Sequence, residues 1–140
     1  MTAEAFPEVR VVEAGEEEAL RLLGGVPLGR VVFTHQALPA IRPVNHIVDG
    51  GRVIIRSRTG TALLKQAVIS GVVAYEADDI DPVSHTGWSV ILTGVATVVR
   101  DRALIERYRT LLTPLFDKRA DTFVSIRPGM ITGYRITPAP

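Results

Sequence analysis

The residues best suited to binding an anion are Arg56-Ser57-Arg58-Thr59-Gly60-Thr61, followed by Ala62-Leu63-Leu64-Lys65. Two arginines offer charge-assisted, bidentate hydrogen bonds to a phosphate. Ser57, Thr59 and Thr61 add hydroxyl donors, and Gly60 lets a ligand approach the backbone closely. The segment runs from a β-branched stretch, Arg52 to Ser57, into a helical one, Ala62 to Val68. A helix start presents unpaired N–H groups and a partial positive charge, both suited to phosphate. Lys65, one turn inside the helix, can reach back toward the same point. A second reading is equally open at this level. Thr59 or Thr61 then caps the helix, and Arg56 and Arg58 are solvated charges at a strand end.

The elements that position this segment follow from periodicity and turn chemistry. Glu16 to Leu23 carries acids first and apolar residues at helical spacing, and stops at Gly24-Gly25, as a short helix does. Leu28 to Thr34 reads as a strand, a turn follows at His35 to Leu38, and Pro39 to Val48 is extended again. Pro39 and Pro43 place that second strand at an edge or a bulge. Asp49-Gly50-Gly51 is a hairpin turn into Arg52 to Ser57. After the helix at Ala62 to Val68, Ser70-Gly71 leads to a strand at Val72 to Glu76, then an acidic loop at Asp78 to Pro82. Trp88 to Val99 is a long strand with a bulge or bend at Gly94. Asp101 caps a helix running to Leu112. Phe123 to Ile126 and Ile131 to Ile136 are expected to form a closing hairpin across Arg127-Pro128-Gly129. About six strands joined largely by hairpins predict an antiparallel sheet, and closure into a barrel would remove most of its edges.

Composition narrows the function classes. The chain has 140 residues, the size of one domain, so residues 1-140 are read as a single unit. Sixteen basic and 15 acidic residues are spread evenly, with no basic block of the kind nucleic acid requires. There is no cysteine, which excludes disulfides, thiolate catalysis and cysteine metal sites. No apolar run reaches the roughly 18 to 20 residues that span a bilayer, and Met1 to Val12 lacks the pattern of a signal peptide. These features predict a cytoplasmic protein without membrane or nucleic-acid partners. A hydrophobic fraction of 46% and a mean hydropathy of +0.22 predict an extensive interface between copies, and so a homodimer. His35, His46 and His85 lack metal-ligand spacing, and Glu76, Asp78, Asp79 and Asp81 do not follow a calcium loop. No metal site is expected. Trp88, the single tryptophan, is either core or a stacking surface for a ligand. No Ser-His-Asp arrangement is present, so any catalysis would be carried by a cofactor.

Three segments taken together resemble the pyridoxamine 5′-phosphate oxidase-like family of FMN-binding split barrels. They are Arg42-Pro43-Val44-Asn45-His46 with Asp49-Gly50-Gly51; Arg56-Ser57-Arg58-Thr59-Gly60-Thr61; and Gly87-Trp88-Ser89-Val90 with Gly94. The ending, Ile126-Arg127-Pro128 and Thr132-Gly133-Tyr134-Arg135-Ile136, is similar to that of short actinobacterial-type members. The likeness runs from about Leu28 to Ile136. It implies a mainly β fold, a six-stranded antiparallel split β-barrel with short flanking helices, forming a homodimer with two FMN sites at the interface. It implies that Arg42, Pro43, Val44, Asn45 and His46 line the isoalloxazine edge through backbone groups. Arg56, Ser57 and Thr61 would take the phosphate or ribityl chain, with Thr59 beside them and Arg58 or Lys65 as the compensating cation, and Trp88 would reach the flavin from the second subunit. Many relatives carry a lysine after the Ser/Thr, where this chain has Ala62. The implied activity is an FMN-dependent oxidoreductase acting on a small organic substrate or a nicotinamide donor. F420-dependent reduction and non-catalytic flavin or haem carriage are the alternatives. The chain ends at Pro140, just past the last strand, so the true pyridoxamine 5′-phosphate oxidase activity is not expected.

Overall fold

A computed structural model describes residues 6–140. Seven strands and three helices follow one another as β1 (Val9–Ala14), α1 (Glu16–Gly24), β2 (Leu28–His35), β3 (Leu38–Asp49), β4 (Arg52–Ser57), α2 (Ala62–Val68), β5 (Val72–Ile80), β6 (Gly87–Val98), α3 (Arg102–Leu111) and β7 (Thr122–Pro138). Every pairing is antiparallel. The order β7-β4-β3-β2-β5-β6 returns to β7 through a β6–β7 ladder and closes a six-stranded barrel. β1 adds a seventh strand on the outer end of β7, from Val9↔Pro138 to Ala14↔Gly133.

Alternation along each strand fills the barrel. Val31, Val53, Ile55, Tyr75, Val90, Leu92, Val124 and Ile126 are fully buried, the inward half of a period-two pattern. α1 seals one end with Ala19 and Leu23, both at zero exposure, and α2 contributes Leu63, Leu64 and Ala67. A second cluster lies outside the barrel wall, where Tyr108 and Leu112 cover Ile54 and Phe123. Asp49 fixes α3 there by accepting hydrogen bonds from the Tyr108 hydroxyl (2.8 Å) and Arg107 (3.3 Å).

The three helices and the hairpin at Gly50-Gly51 stand where the sequence predicts them, and both glycines take positive φ (59° and 76°) as that two-residue turn demands. Two expectations are corrected, and one strand is new. The closing hairpin does not exist: β7 is one continuous strand of 17 residues, and Pro128-Gly129 is absorbed as a bulge. Thr93 pairs with Met130 while Gly94 pairs with Pro128, so Gly129 is the extra residue. Asp78 and Asp79 belong to β5 rather than to a loop. The turn begins at Asp81, whose carboxylate accepts the N–H groups of Val83 (2.7 Å) and Ser84 (2.9 Å). β1 was not anticipated at all.

β3 has the feature on which the site depends. It pairs with β2 over residues 38 to 45, but with β4 only over His46 to Asp49. One side of β3 is therefore an open edge from Leu38 to Asn45, in agreement with the reading of Pro39 and Pro43. Antiparallel pairs alternate in the direction of their hydrogen bonds. Counting from the closing pair His35↔Leu38, the odd-numbered residues turn their backbone groups away from β2. Both prolines occupy such positions, so neither removes a ladder hydrogen bond.

Candidate functional site

Where β3 and β4 part, a cleft of about 470 Å³ opens. Its floor is Arg42 to Asn45 with Phe33, and one side is Arg56, Ser57 and Arg58 followed by Thr61, Ala62 and Leu63 at the start of α2. The outer wall is the connection from α3 to β7, which contributes Pro114, Leu115, Phe116, Asp117 and Ala120. The volume lies within the range of small-ligand and cofactor sites.

Arg56 holds the outer wall in place. Its Nη1 donates to the carbonyl of Leu112 (2.9 Å) and its Nη2 to that of Ala120 (2.8 Å), and the guanidinium stacks 4.8 Å from the Phe123 ring centroid. Its Nε–H is buried and has no partner among the described residues. Asn45 ties the same wall from the other side, through its side-chain amide and the Thr113 carbonyl (2.5 Å). The Thr61 hydroxyl accepts the N–H of Leu64 (3.3 Å) and donates to the carbonyl of Arg58 (2.9 Å). It therefore caps α2, and Ser57 Oγ lies 2.8 Å from it. The capping reading of the sequence is correct for Thr61, yet its side chain still borders the cleft.

Charge is distributed unevenly over this surface. Arg42 is exposed, sits 5.9 Å from the centroid of Phe33 and bonds only to the carbonyl of Ile41 (3.0 Å). Among the described residues no carboxylate pairs with it. Arg58 faces Asp117 at 3.5 Å. The carboxyl of Asp117 is held below the usual range, first by the backbone N–H of Arg119, and that of Asp121 first by the N–H of Thr59.

A model of the family described as pyridoxamine 5′-phosphate oxidase matches residues 15–136. The chain belongs to this family. Protein Rv0080 of Mycobacterium tuberculosis, whose function is uncharacterised, is 55% identical over 131 residues, spanning 90% of this chain and 86% of its own. The FAD binding protein of Mycobacterium smegmatis is 38% identical and superposes with a TM-score of 0.73, covering 91% of this chain and 98% of the other. A FAD-binding protein of Mesorhizobium loti has a TM-score of 0.74 over 92% of this chain and 98% of its own. At 16% identity, that likeness is one of fold.

Eight of the residues singled out in the sequence meet in the cleft: Arg42, Pro43, Val44, Asn45, Arg56, Ser57, Arg58 and Thr61. The structure places four others elsewhere. His46 is buried, its Nε2 bonded to the Leu23 carbonyl (2.7 Å) and its Nδ1 to the Tyr75 hydroxyl, because residues on β3 alternate faces and His46 falls on the inward one. Thr59 turns to Asp121, which accepts its N–H (3.2 Å) and its hydroxyl (3.1 Å). Lys65 is exposed on α2, away from the cleft lining. Trp88 is 9% exposed in the barrel core. Sequence reasoning missed the whole outer wall. The signal was present in Pro114-Leu115-Phe116, an apolar run past the end of a helix that leaves Phe116 75% exposed.

Proposed function

We propose that the protein binds a flavin nucleotide in this cleft and acts as a flavin-dependent oxidoreductase on a small organic substrate or a nicotinamide donor. The observation that carries this reading is the open edge of β3, with Arg42 exposed on it, facing Arg58 across a cleft of cofactor size. Outward N–H and C=O groups on β3 suit the polar edge of a heteroaromatic ring, and Phe33 and Phe116 provide apolar surface beside it. Arg42 and Arg58 supply the positive charge for a phosphate that the family lysine supplies in relatives, since Ala62 stands in its place here. A bound flavin would carry the hydride or electron chemistry; the chain's own residues would orient it and exclude water. FMN is the form favoured by a single short arginine-bearing segment. FAD is the second reading, supported by the 38%-identical relative that is named for binding it.

Titration with FMN, FAD and F420, followed by flavin absorbance and fluorescence, tests this. Saturable binding of a flavin supports the reading, and no binding at tens of micromolar (roughly, weaker than typical cofactor affinities) defeats it. Arg42→Ala should weaken every flavin tested by about tenfold or more, the usual result of losing a charge-assisted hydrogen bond. Unchanged affinity in that variant would remove Arg42 from the site.

Homodimerisation belongs to the same proposal. Ile41, on the open strand, and Phe116, on the wall, are 56% and 75% exposed. A second copy covering this side would bury both and enclose the cleft. Sedimentation equilibrium should then give twice the chain mass, and Ile41→Glu should give the monomer.

A further inference from the structure

We propose that Asp117 is a specificity-determining residue of the cleft, because its carboxylate occupies Arg58, the cation closest to the strand-to-helix turn, and so reduces the preference for phosphorylated over unphosphorylated ligands. The proposal rests on the flavin reading and adds which ligands the cleft discriminates between.

Arg58 Nε and Asp117 Oδ2 stand 3.5 Å apart, and both residues line the cleft. Asp117 is fixed from its own side, since its Oδ1 accepts the N–H of Arg119 (3.0 Å) and the Nε–H of the same residue (3.4 Å). Four residues on, Asp121 accepts the backbone N–H and the hydroxyl of Thr59. One connection thus brings two carboxylates to donors on consecutive residues of the turn, Arg58 and Thr59. The other arginine of the turn, Arg56, already spends its terminal nitrogens on the Leu112 and Ala120 carbonyls. A phosphate at Arg58 must displace Asp117 or lie beside it, and like charges at such separations repel. An uncharged ring and ribityl chain experience neither penalty. The outer wall therefore has two roles: it shapes the cleft and sets a charge threshold for what enters.

The test compares FMN with riboflavin, which differ by the phosphate alone, using the full chain at low ionic strength, where such effects are least screened. Asp117→Asn keeps the shape and an oxygen for the Arg119 N–H while removing the charge. It should tighten FMN binding by about threefold to fivefold, the scale of an exposed ion pair, and leave riboflavin within about twofold of wild type. The gain should shrink when Asp117→Asn is introduced into an Arg58→Ala background, since only the direct repulsion of the phosphate is then left to remove. Equal FMN-to-riboflavin ratios in wild type and Asp117→Asn, or parallel changes for both ligands, would overturn the proposal. If the wild type binds neither flavin, the flavin reading fails, and inorganic phosphate still decides the role of Asp117. Half-saturation of the Thr59 amide shift at lower phosphate in Asp117→Asn supports it, and identical curves refute it.

Discussion

Gly94→Ala should destabilise the protein by about 3 kcal/mol or more, among the larger effects of any single-methyl change, because the added carbon has nowhere to go. A Cβ built on Gly94 would lie 2.1 Å from the carbonyl oxygen of Arg127, 2.8 Å from its carbonyl carbon and 3.0 Å from Cα of Pro128. All three are backbone atoms, so no side-chain rotation relieves the clash. The ladder must separate at the point where β7 bulges and β6 crosses from its pairing at Thr93 to its pairing at Gly94. Those two strands close the barrel, so strain there acts on the whole domain. Gly129→Ala, at the extra residue of the same bulge, is the control. Its Cβ would meet only the Thr93 carbonyl, at 3.6 Å, an ordinary contact, and its cost should stay within about 1 kcal/mol. Urea unfolding of the two variants against wild type measures both. A Gly94→Ala protein within about 1 kcal/mol of wild type would show that β6 and β7 do not approach as closely as described.

The same bulge explains what the sequence did and did not reveal about the fold. Gly94 was legible as an irregularity because glycine interrupts an otherwise β-branched strand. Its partner was not, because Arg127-Pro128-Gly129 has the composition of a hairpin turn and local chemistry cannot tell a turn from a bulge. Only the ladder does so: β6 continues to pair past the bulge as far as Ile136, and a hairpin would have left those residues of β6 without partners. β1 was missed for a related reason. Val9 to Ala14 alternates weakly, with only Ala14 buried, so most of what makes it a strand is the exposed edge of β7 rather than its own residues.

Half of the site was visible in the sequence and half was not, and the division follows sequence distance. Arg42 to Asn45 lie on β3, and Arg56 and Ser57 end β4 just before Arg58 to Thr61, so a two-residue turn with the register Asp49↔Arg52 brings the two segments to one place. The wall from Pro114 to Ala120 is some sixty residues further on and is brought in by Arg56 itself, through the Leu112 and Ala120 carbonyls. An arginine seen alone looks like a ligand for an external anion. Only the fold shows that its acceptors are two carbonyls of its own chain. His46 shows the converse. It follows directly on the residues of β3 that border the cleft, while the alternation of that strand turns its side chain inward.

That inward turn makes His46 and Tyr75 the other position of large effect. The Leu23 carbonyl can only accept, so Nε2 of His46 carries the proton and donates to it, and Nδ1 accepts from the Tyr75 hydroxyl. The rings meet edge to face, 5.1 Å between centroids and 84° between planes. Gly29 leaves the space, since a Cβ there would come within 2.5 Å of the tyrosine oxygen. Three elements, α1, β3 and β5, are joined at this point. Tyr75→Ala should cost about 3 to 5 kcal/mol through the cavity it leaves, and Tyr75→Phe about 1 to 3 kcal/mol through the unsatisfied Nδ1. Burial pushes the His46 imidazole below its ordinary 6.5, which fixes the sign of a pH effect. Below that value the unfolded chain takes up a proton that the folded chain refuses. The contribution of His46 to stability is therefore complete above 6.5 and is lost as pH falls through the window below it, at up to about 1.4 kcal/mol per pH unit for one proton. His46→Gln removes the titrating group, so its stability measured against wild type from pH 7.5 to 5 (roughly, the window in which an imidazole titrates) isolates the effect. The gap between the two proteins should narrow as pH drops. A gap that stays constant would mean that His46 binds its proton equally well folded and unfolded, and a gap that widens would mean that it is protonated in the fold, with the hydrogen bond to Tyr75 running the other way.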